Sequence, residues 1–328
     1  MFRLKECKYS FLSVGGKTMR VVFMGTPDFS AVILVKIIEA GHEVVGVFTQ
    51  PDKPKGRGKE LSMSAVKQKA LELELPVFQP EKIRKPEIIE EIRQLKPEVI
   101  VVVAFGQILP KDLLEIPKYG SVNVHASLLP AYRGAAPIQW AVIDGLKKTG
   151  VTTMAMDAGI DTGDMLMQRE VTLDKKETGG SLFDKLSVVG ADLLVETLTA
   201  LEDGTAVRTK QEDELSNYAQ RLDKALGEID FHQSAEKIER LIRGLNPWPS
   251  AFTHIDGKTL KIWDADIVEE PYEGSVGTIV DINKKFFIVK CGEKALKINE
   301  VQLEGKKRMM TDAFLRGNEL ENGTIIGR

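Results

Sequence analysis

The sequence predicts an α/β protein with a Rossmann-like, mostly parallel open sheet and helices on both faces, followed by a small C-terminal β-barrel domain of OB-like type. Short β-branched runs alternate with amphipathic stretches over the first two thirds of the chain, which is typical of a parallel sheet. Residues 99–104 are apolar throughout, as expected for a strand covered on both faces. From about Asn246 the chain changes to short strands joined by "DG" and "GE" turns, which favours hairpins and a small barrel.

The predicted elements follow one another in order along the chain. Residues 20–24 form a strand, after which Asp28 can cap a helix that ends at Gly41. Residues 179–201 carry an apolar stripe at helical spacing, which predicts a long helix. Further strands are predicted at residues 43–49, 99–104, 121–126 and 151–156, and further helices near residues 64–74 and 86–95.

The length of 328 residues predicts two domains, or one large domain with an appendage. The predicted boundaries are an N-terminal extension of unclear status over 1–18, a first domain over 19–205, a linker over 206–225 and an OB-like domain over 226–328. Met19 opens "MRVVFMGTPDFS", which is typical of a protein start. We therefore interpret residues 1–18 as an upstream extension or a misassigned start, with a targeting peptide as the alternative.

Composition limits the class of protein. The net charge of −3 provides no global basic field, so a polyanionic partner would have to be met by local clusters. Hydrophobic residues make up 43% and charged residues 28%, as in ordinary globular proteins. Cys7 and Cys291 are the only cysteines, which argues against a disulfide framework. No apolar run approaches the ~20 residues of a membrane span. We therefore expect a cytoplasmic protein with no membrane partner.

The stretch "VNVHASLLP" places polar side chains in a strand. Asn123 and His125 are two residues apart, so they face the same side of the strand, with Ser127 close behind. A histidine in a β-rich run is commonly a satisfied structural residue. However, ligands of open α/β sheets bind beyond the carboxyl ends of the strands, where this pair is predicted to lie.

A second polar stretch, "MDAGIDTGD", follows a later strand. It contains Asp157, Asp161 and Asp164, which could form an Asx-rich turn or bind a hard cation, although the spacing fits no EF-hand loop. Combined with Asn123 and His125, a carboxylate completes a different set. The amide donates to a developing oxyanion, the histidine supplies a donor or a proton, and the carboxylate orients the histidine. This set suits acyl transfer to an external amine.

Other chemistries find less support. Residues 25–28, "GTPD", lack the glycine spacing of a dinucleotide loop and the lysine of a P-loop. Ser127 lacks the G-x-S-x-G elbow of a serine nucleophile.

The two motifs in context resemble the folate-dependent formyltransferases. The stretch "VNVHASLLPAYRGAAPIQWA" followed by "MDAGIDTGDML" is similar to the family as a whole. Four further stretches resemble its tRNA-acting branch: "VVFMGTPDFS", "VFTQPDKPKGRGKEL", "VVVAFGQILPKDLLEIP" and "GLNPWPSAFTHIDGKTLKIW". The likeness extends from residue 19 to about residue 316.

The resemblance implies a reaction and a role for each matching residue. The expected reaction moves a formyl group from 10-formyltetrahydrofolate, a co-substrate, to the α-amine of methionyl initiator tRNA, with no metal. Asn123 and His125 would stabilise the tetrahedral oxyanion, while Asp161 would hold His125 and a water for proton transfer. The residues that match the segment holding the folate donor are Ser127, Leu128, Leu129 and Pro130. A monomer is expected.

Local basic clusters are the candidate tRNA contacts. Residues 226–328 carry 15 Lys and Arg against 17 Asp and Glu, so the C-terminal domain is not globally basic. The loop "KPKGRGK" alternates bases with Pro and Gly, which predicts an exposed loop suited to phosphate contact, or simply a solvated one. The candidate tRNA-binding residues are Lys53, Lys55, Arg57, Lys59, Lys306 and Lys307.

Three alternative functions remain open from the sequence. The first is a formyltransferase acting on a small amine such as a sugar nucleotide, which the first domain alone would also fit. The second is a non-catalytic RNA-binding protein, which would not need Asn123, His125 and Asp161 together. The third is a hydrolase that releases formate, because water could replace the amine.

Overall fold

The computed structural model describes residues 18–55 and 60–327. The described chain forms two compact units, each assembled from separate segments of sequence. The first unit contains residues up to 133, residues 150–171 and residues 183–218. The second contains residues 134–149, residues 172–182 and the chain from residue 219 onward. Of the predicted extension, only Thr18 lies within the described residues, and the predicted domain boundaries stay a prediction.

Strands and helices alternate over most of the first 200 residues and give way to strands afterwards. The strands are β1 (Arg20–Gly25), β2 (Glu43–Phe48), β3 (Lys53–Lys55), β4 (Glu60–Ser62), β5 (Val77–Phe78), β6 (Val99–Val103), β7 (Ser121–His125), β8 (Arg133–Gly134), β9 (Lys148–Ala155), β10 (Met165–Thr172), β11 (Tyr218–Ala219), β12 (Ala251–Ile255), β13 (Lys258–Val268), β14 (Ile279–Ile282), β15 (Phe287–Lys290), β16 (Ala295–Leu303) and β17 (Met309–Met310). The α-helices are α1 (Asp28–Glu39), α2 (Ala65–Glu72), α3 (Pro86–Gln94), α4 (Lys111–Leu114), α5 (Pro137–Ile143), α6 (Gly179–Glu202), α7 (Ala235–Gly244) and α8 (Thr311–Leu315).

The first unit is built on a mixed sheet with the strand order β10-β9-β7-β6-β1-β2-β5. Within the part β7-β6-β1-β2-β5 of this order, each strand is parallel to the next, as the apolar runs predict. Strand β9 is antiparallel to β7, so its carboxyl end lies beside the amino end of β7. The predicted mostly parallel sheet is confirmed.

Helices cover both faces of this sheet. On one face, Thr197 of α6 lies 2.8 Å from Thr153 of β9, between their hydroxyl oxygens. On the other face, Ile92 of α3 packs in an apolar cluster with Val102 of β6. Asn123 pairs with Val102 in the register of β6 and β7, so Asn123 belongs to this second face.

The second unit contains an antiparallel sheet with the order β12-β13-β16-β15-β14, and β17 pairs with β16. Along β12 and the first part of β13, successive residues alternate between buried and half-buried positions, because one face of the sheet packs on the core. Ile238 and Ile242 of α7 belong to that core. The predicted C-terminal β unit is confirmed, whereas closure into an OB-like barrel stays a prediction.

An ion-pair network explains why residues 172–182 belong to the second unit. Lys176 Nζ lies 2.8 Å from Asp266 Oδ1 and 3.4 Å from Glu239 Oε1. The hydrogen bond from Lys176 is the main cause that lowers the pKa of Asp266 to about 2. The network therefore connects the segment before α6 to both α7 and β13.

Cys291 is buried, and this burial raises the pKa of its thiol to about 12. The thiol is therefore protonated and unreactive at neutral pH. Cys7 lies outside the described residues. Within residues 18–55 and 60–327, no helix has the length and apolar character needed to span a membrane.

Candidate active site

Asn123 and His125 lie on β7 and face the same side of the sheet. In the pairing with β9, Asn123 is opposite Met154 and His125 is opposite Thr152. His125 is only 6% exposed, and Asn123 is half-buried. The alternation of side chains along a strand therefore places both polar groups together, as predicted.

Asp161 reaches the pair from the loop between β9 and β10. Asn123 Nδ2 donates a hydrogen bond of 3.3 Å to Asp161 Oδ1, and His125 Nδ1 lies 3.6 Å from Asp161 Oδ2. The loop leaves β9 near the amino end of β7, because these two strands are antiparallel. The loop then folds back over the sheet face and brings Asp161 beside the pair. The three predicted residues therefore lie together, although Asp161 does not come from the edge of the sheet where β7 ends.

The hydrogen bond of His125 shows which ring nitrogen carries the hydrogen of the neutral imidazole. Its Nε2 lies 2.9 Å from the backbone carbonyl oxygen of Tyr132. A carbonyl oxygen only accepts, so Nε2 carries the hydrogen and Nδ1 of the neutral ring is left as an acceptor. This acceptor nitrogen faces the Asp161 carboxylate, so the two proton-accepting groups lie side by side. The pair can therefore take up a proton during a reaction.

A pocket opens beside Asp161 on the same face. The residues that line it are Gln107, Ile108, Leu109, Met154, Met156, Asp157, Ala158, Gly159, Ile160 and Asp161. Among these described lining residues there is no hydroxyl, thiol or amine side chain that could act as a nucleophile. An apolar wall next to a few polar groups is typical of a small-molecule site.

Asp157 shapes the rim of this pocket. Its Oδ1 accepts hydrogen bonds from Gly159 N at 2.9 Å and from Thr162 Oγ1 at 2.8 Å, as expected of an Asx-type turn. In the described part of the chain, no group of three or more His, Cys, Asp or Glu side chains is arranged to hold a metal ion.

Two family models match the chain in succession. The model described as "Formyl transferase" matches residues 19–198, and the model described as "Formyl transferase, C-terminal domain" matches residues 221–319. Methionyl-tRNA formyltransferase of Lachnospira eligens is 58% identical over 94% of this chain and 100% of its own length. That of Clostridioides difficile is 52% identical over the same shares.

The chain belongs to the methionyl-tRNA formyltransferase family. It is therefore an enzyme of the transferase class, and the non-catalytic RNA-binding alternative is wrong.

Solved structures share the fold at lower identity. HypX from Aquifex aeolicus in complex with tetrahydrofolic acid has a TM-score of 0.63 at 17% identity, covering 94% of this chain and 51% of HypX. The sugar 3N-formyltransferase WlaRD, in the presence of dTDP and 5-N-formyl-THF, has a TM-score of 0.64 at 19% identity, covering 89% of this chain and all of WlaRD. At these identities the likeness supports the fold of the enzyme.

The segment predicted to hold folate is tied into the sheet. Ser127 Oγ donates to Ala131 O at 2.6 Å, and Leu129 N donates to Thr152 Oγ1 at 3.0 Å. Ser127 and Leu129 are buried, while Leu128 and Pro130 are half-buried. Residues 127–130 are not among the side chains that line the pocket beside Asp161. Their role in holding the donor stays a prediction.

The pocket also contains residues that the sequence analysis did not assign to the site. Gln107, Ile108 and Leu109 lie in the segment after β6, and Ile108 is 76% exposed. Gln107 is held in place because its Oε1 accepts from Ile83 N at 2.7 Å. A sequence pattern indicates these three residues as candidates, because an apolar stretch after the carboxyl end of a buried parallel strand is a common ligand position.

The predicted tRNA-binding residues fall in both units. Lys53 is exposed on β3, which pairs with β4 as a short hairpin, and Lys55 ends that strand. Arg57 and Lys59 lie outside the described residues. In the second unit, Lys306 and Lys307 are exposed in the turn between β16 and β17. Their contacts with tRNA stay a prediction.

Proposed function

We propose that the enzyme transfers the formyl group of 10-formyltetrahydrofolate to the α-amine of methionyl initiator tRNA. The observation that carries this proposal is the grouping of Asn123, His125 and Asp161 beside a pocket whose described lining has no hydroxyl, thiol or amine side chain. Such a site cannot readily store the formyl group on the protein, so it favours direct attack by an external amine. The names of the relatives support the same acceptor.

The trio has a separate role in each part of the transfer. The amine nitrogen forms a bond to the formyl carbon, and the carbonyl oxygen becomes an oxyanion. Asn123 uses one of its two amide N–H groups on Asp161, so the second can donate to that oxyanion. The His125–Asp161 pair accepts the proton that the amine loses. The bond from the formyl carbon to the folate nitrogen then breaks, and that nitrogen receives a proton from the pair.

The pocket beside Asp161 is the proposed position of the folate donor. Leu109 and Met156 supply apolar surface for a planar ring, and backbone groups of the 157–161 loop can hydrogen-bond to its polar edge. The donor would then present its formyl group toward Asn123 and His125. Residues 127–130 would support this arrangement by holding the end of β7 against Thr152.

A formylation assay tests the proposal against its rivals. The enzyme is incubated with 10-formyltetrahydrofolate and charged methionyl initiator tRNA, and we expect N-formylmethionyl-tRNA as the product. Formate released without formylated tRNA would favour the hydrolase. Formylation of an amino-sugar nucleotide instead of tRNA would favour the small-amine enzyme. A solution mass and cell fractionation test our further proposals of a monomer in the cytoplasm.

Asp52 anchors the loop proposed to contact the acceptor end of the tRNA. Lys67 Nζ lies 2.6 Å from Asp52 Oδ2, and Gln79 Nε2 donates to Asp52 Oδ1 at 2.8 Å. The hydrogen bond from Lys67 is the main cause that lowers the pKa of Asp52. Asp52 directly precedes β3, so these bonds fix the start of the hairpin that β3 and β4 form.

Substituting Asp52→Asn is expected to raise the KM for tRNA by about threefold to tenfold, because the neutral side chain holds Lys67 less firmly. The KM for the folate donor should not change. Steady-state kinetics with each substrate varied in turn measures both values. Glu72→Gln is the matched control, because Glu72 also pairs with a lysine of α2. An unchanged KM for tRNA would contradict the anchoring role.

A further inference from the structure

Two residues of the site, one within the catalytic trio and one bonded to it, have an unusual backbone conformation. Asp161 has a φ of 54° and Tyr132 has a φ of 58°, so both are left-handed although neither is glycine. Non-glycine residues rarely adopt this region unless surrounding contacts hold them there. Asp161 carries the catalytic carboxylate, and the carbonyl of Tyr132 accepts from His125 Nε2. The contacts that hold these two residues therefore control the geometry of the trio.

Gln211 holds the backbone that carries Asp161. Its Nε2 donates to Asp161 O at 2.8 Å and to Gly163 O at 2.7 Å. Gly163 packs closely against the end of β9, because a side chain there would overlap the carbonyl oxygen of Ala155. The amide of Gln211 thus bridges two carbonyl groups that flank the turn.

Arg133 determines which way the Gln211 amide points. Arg133 Nε donates to Gln211 Oε1 at 3.0 Å, and Arg133 Nη2 pairs with Asp213 Oδ1 at 2.8 Å. A guanidinium group has no acceptor, so it selects the oxygen of the amide and directs Nε2 toward the two carbonyl groups. Arg133 is only 9% exposed, which favours a well-defined orientation.

Asn217 holds the backbone that orients His125. Its side-chain Oδ1 accepts from Tyr132 N at 2.5 Å, and its backbone carbonyl oxygen accepts from Arg133 N at 3.1 Å. These two bonds fix the peptide groups on either side of the Tyr132 α-carbon. The Tyr132 carbonyl is consequently placed for the 2.9 Å bond from His125 Nε2.

We propose that Gln211 and Asn217 are positioning residues for formyl transfer, acting through Asp161 and His125 respectively. Both side chains come from residues 211–217, and each bonds to the backbone of one of the two left-handed residues. The proposal rests on the function proposed above. Neither side chain is assigned a contact with substrate. Their effect is to hold His125 Nδ1 and Asp161 Oδ2 in the arrangement that accepts a proton.

Substitutions of the two side chains test this role kinetically. Gln211→Glu retains an acceptor for Arg133 but replaces the donor Nε2 with an oxygen that faces two carbonyl oxygens. Asn217→Ala removes the acceptor for Tyr132 N, whereas Asn217→Asp retains one. We expect kcat to fall about 10- to 100-fold in Gln211→Glu and Asn217→Ala, because small displacements of catalytic groups are costly. The KM values for tRNA and folate should stay unchanged.

Two variants serve as controls. Glu212→Gln exchanges the same two residue types in the opposite sense at an exposed neighbouring position. It should retain the kcat of the unmodified enzyme. Asn217→Asp should recover most of the activity that Asn217→Ala loses. Full kcat in folded Gln211→Glu, or no recovery in Asn217→Asp, would overturn the proposal.

A spectroscopic measurement separates this proposal from the proposed function. Nitrogen-15 NMR of histidine-labelled protein, with the His125 signals assigned through His125→Gln, reports which ring nitrogen carries hydrogen. We expect the Nε2–H form in the neutral ring of the unmodified protein and a mixture of forms in Asn217→Ala. The same form in both proteins would overturn the role of Asn217. This result is independent of turnover, so it still holds if the unmodified enzyme formylates a different amine.

Discussion

Asn123→Ala and His125→Ala are each expected to lower the rate of formyl transfer by about 10²–10³-fold, the usual cost of removing a donor to a developing oxyanion. Asn123 is the amide that can donate to the oxyanion, and it also donates to Asp161. In the proposed mechanism, His125 is the partner of Asp161 in proton uptake. Either truncation would then remove a group that acts in the transition state, so kcat should fall more than the affinity for either substrate.

The measurement is single-turnover formylation of charged initiator tRNA, with thermal unfolding recorded for each variant. His232→Ala is the control for His125→Ala, because His232 is an exposed histidine that also pairs with an aspartate, Asp230. We expect this control to retain the full rate. Near-normal turnover in a folded His125→Ala protein would disprove the assignment of the active site.

Asp161→Asn is expected to lower the rate by about 10²–10⁴-fold, the range for loss of a general acid–base group. The change keeps the size of the side chain and removes its charge. Asp161 Oδ2 faces His125 Nδ1, which is the acceptor nitrogen of the neutral ring. An asparagine amide at this place can donate to Nδ1 and thereby hold the ring neutral. The pair would then no longer accept the proton from the amine.

Asp164→Asn provides a matched control for Asp161→Asn. Asp164 is a half-buried carboxylate of the same loop, and its backbone carbonyl rather than its side chain bonds to Ala155 N. The control should retain its rate in the same assay, because Asp164 is not among the residues that line the pocket beside Asp161. If Asp161→Asn retained the full rate while Asp164→Asn lost it, the carboxylate of the site would be Asp164.

Local patterns were sufficient to predict much of the fold. The apolar run at β6 predicted a strand buried on both faces, and all of its residues are buried. Alternation along β7 predicted that Asn123 and His125 face the same side, and both lie on the face of the pocket. Such patterns succeed because the periodicity of side chains in a strand depends only on its own backbone.

Strand direction was not predictable in the same way. A strand pattern is the same in either direction, so nothing within residues 148–155 indicates that β9 is antiparallel to β7. The direction of β9 decides where the following loop begins, and hence how Asp161 reaches His125. Only the pairing of strands distant in sequence provides this information.

The predicted linker illustrates a similar limit. Residues 206–225 are polar and have no regular period, which is typical of a connector. In the structure, Gln211 and Asn217 bond to the backbone at Asp161 and Tyr132. A single amide side chain carries no signal of its partner, because its hydrogen bonds depend on groups 50 and 85 residues away along the chain.

The sequence by itself determined the class of fold and the family resemblance, and through that resemblance it predicted the trio. The fold class depends on residue type and on spacing over a few residues, and the resemblance depends on short motifs along the chain. The tertiary structure alone decided the direction from which Asp161 arrives, the grouping of Gln107–Leu109 with the loop of Asp161 in one pocket, and the bonds that hold Asp161 and Tyr132 in left-handed conformations. The physical reason is that these features arise from contacts between segments that are far apart in sequence, and no local pattern specifies such contacts.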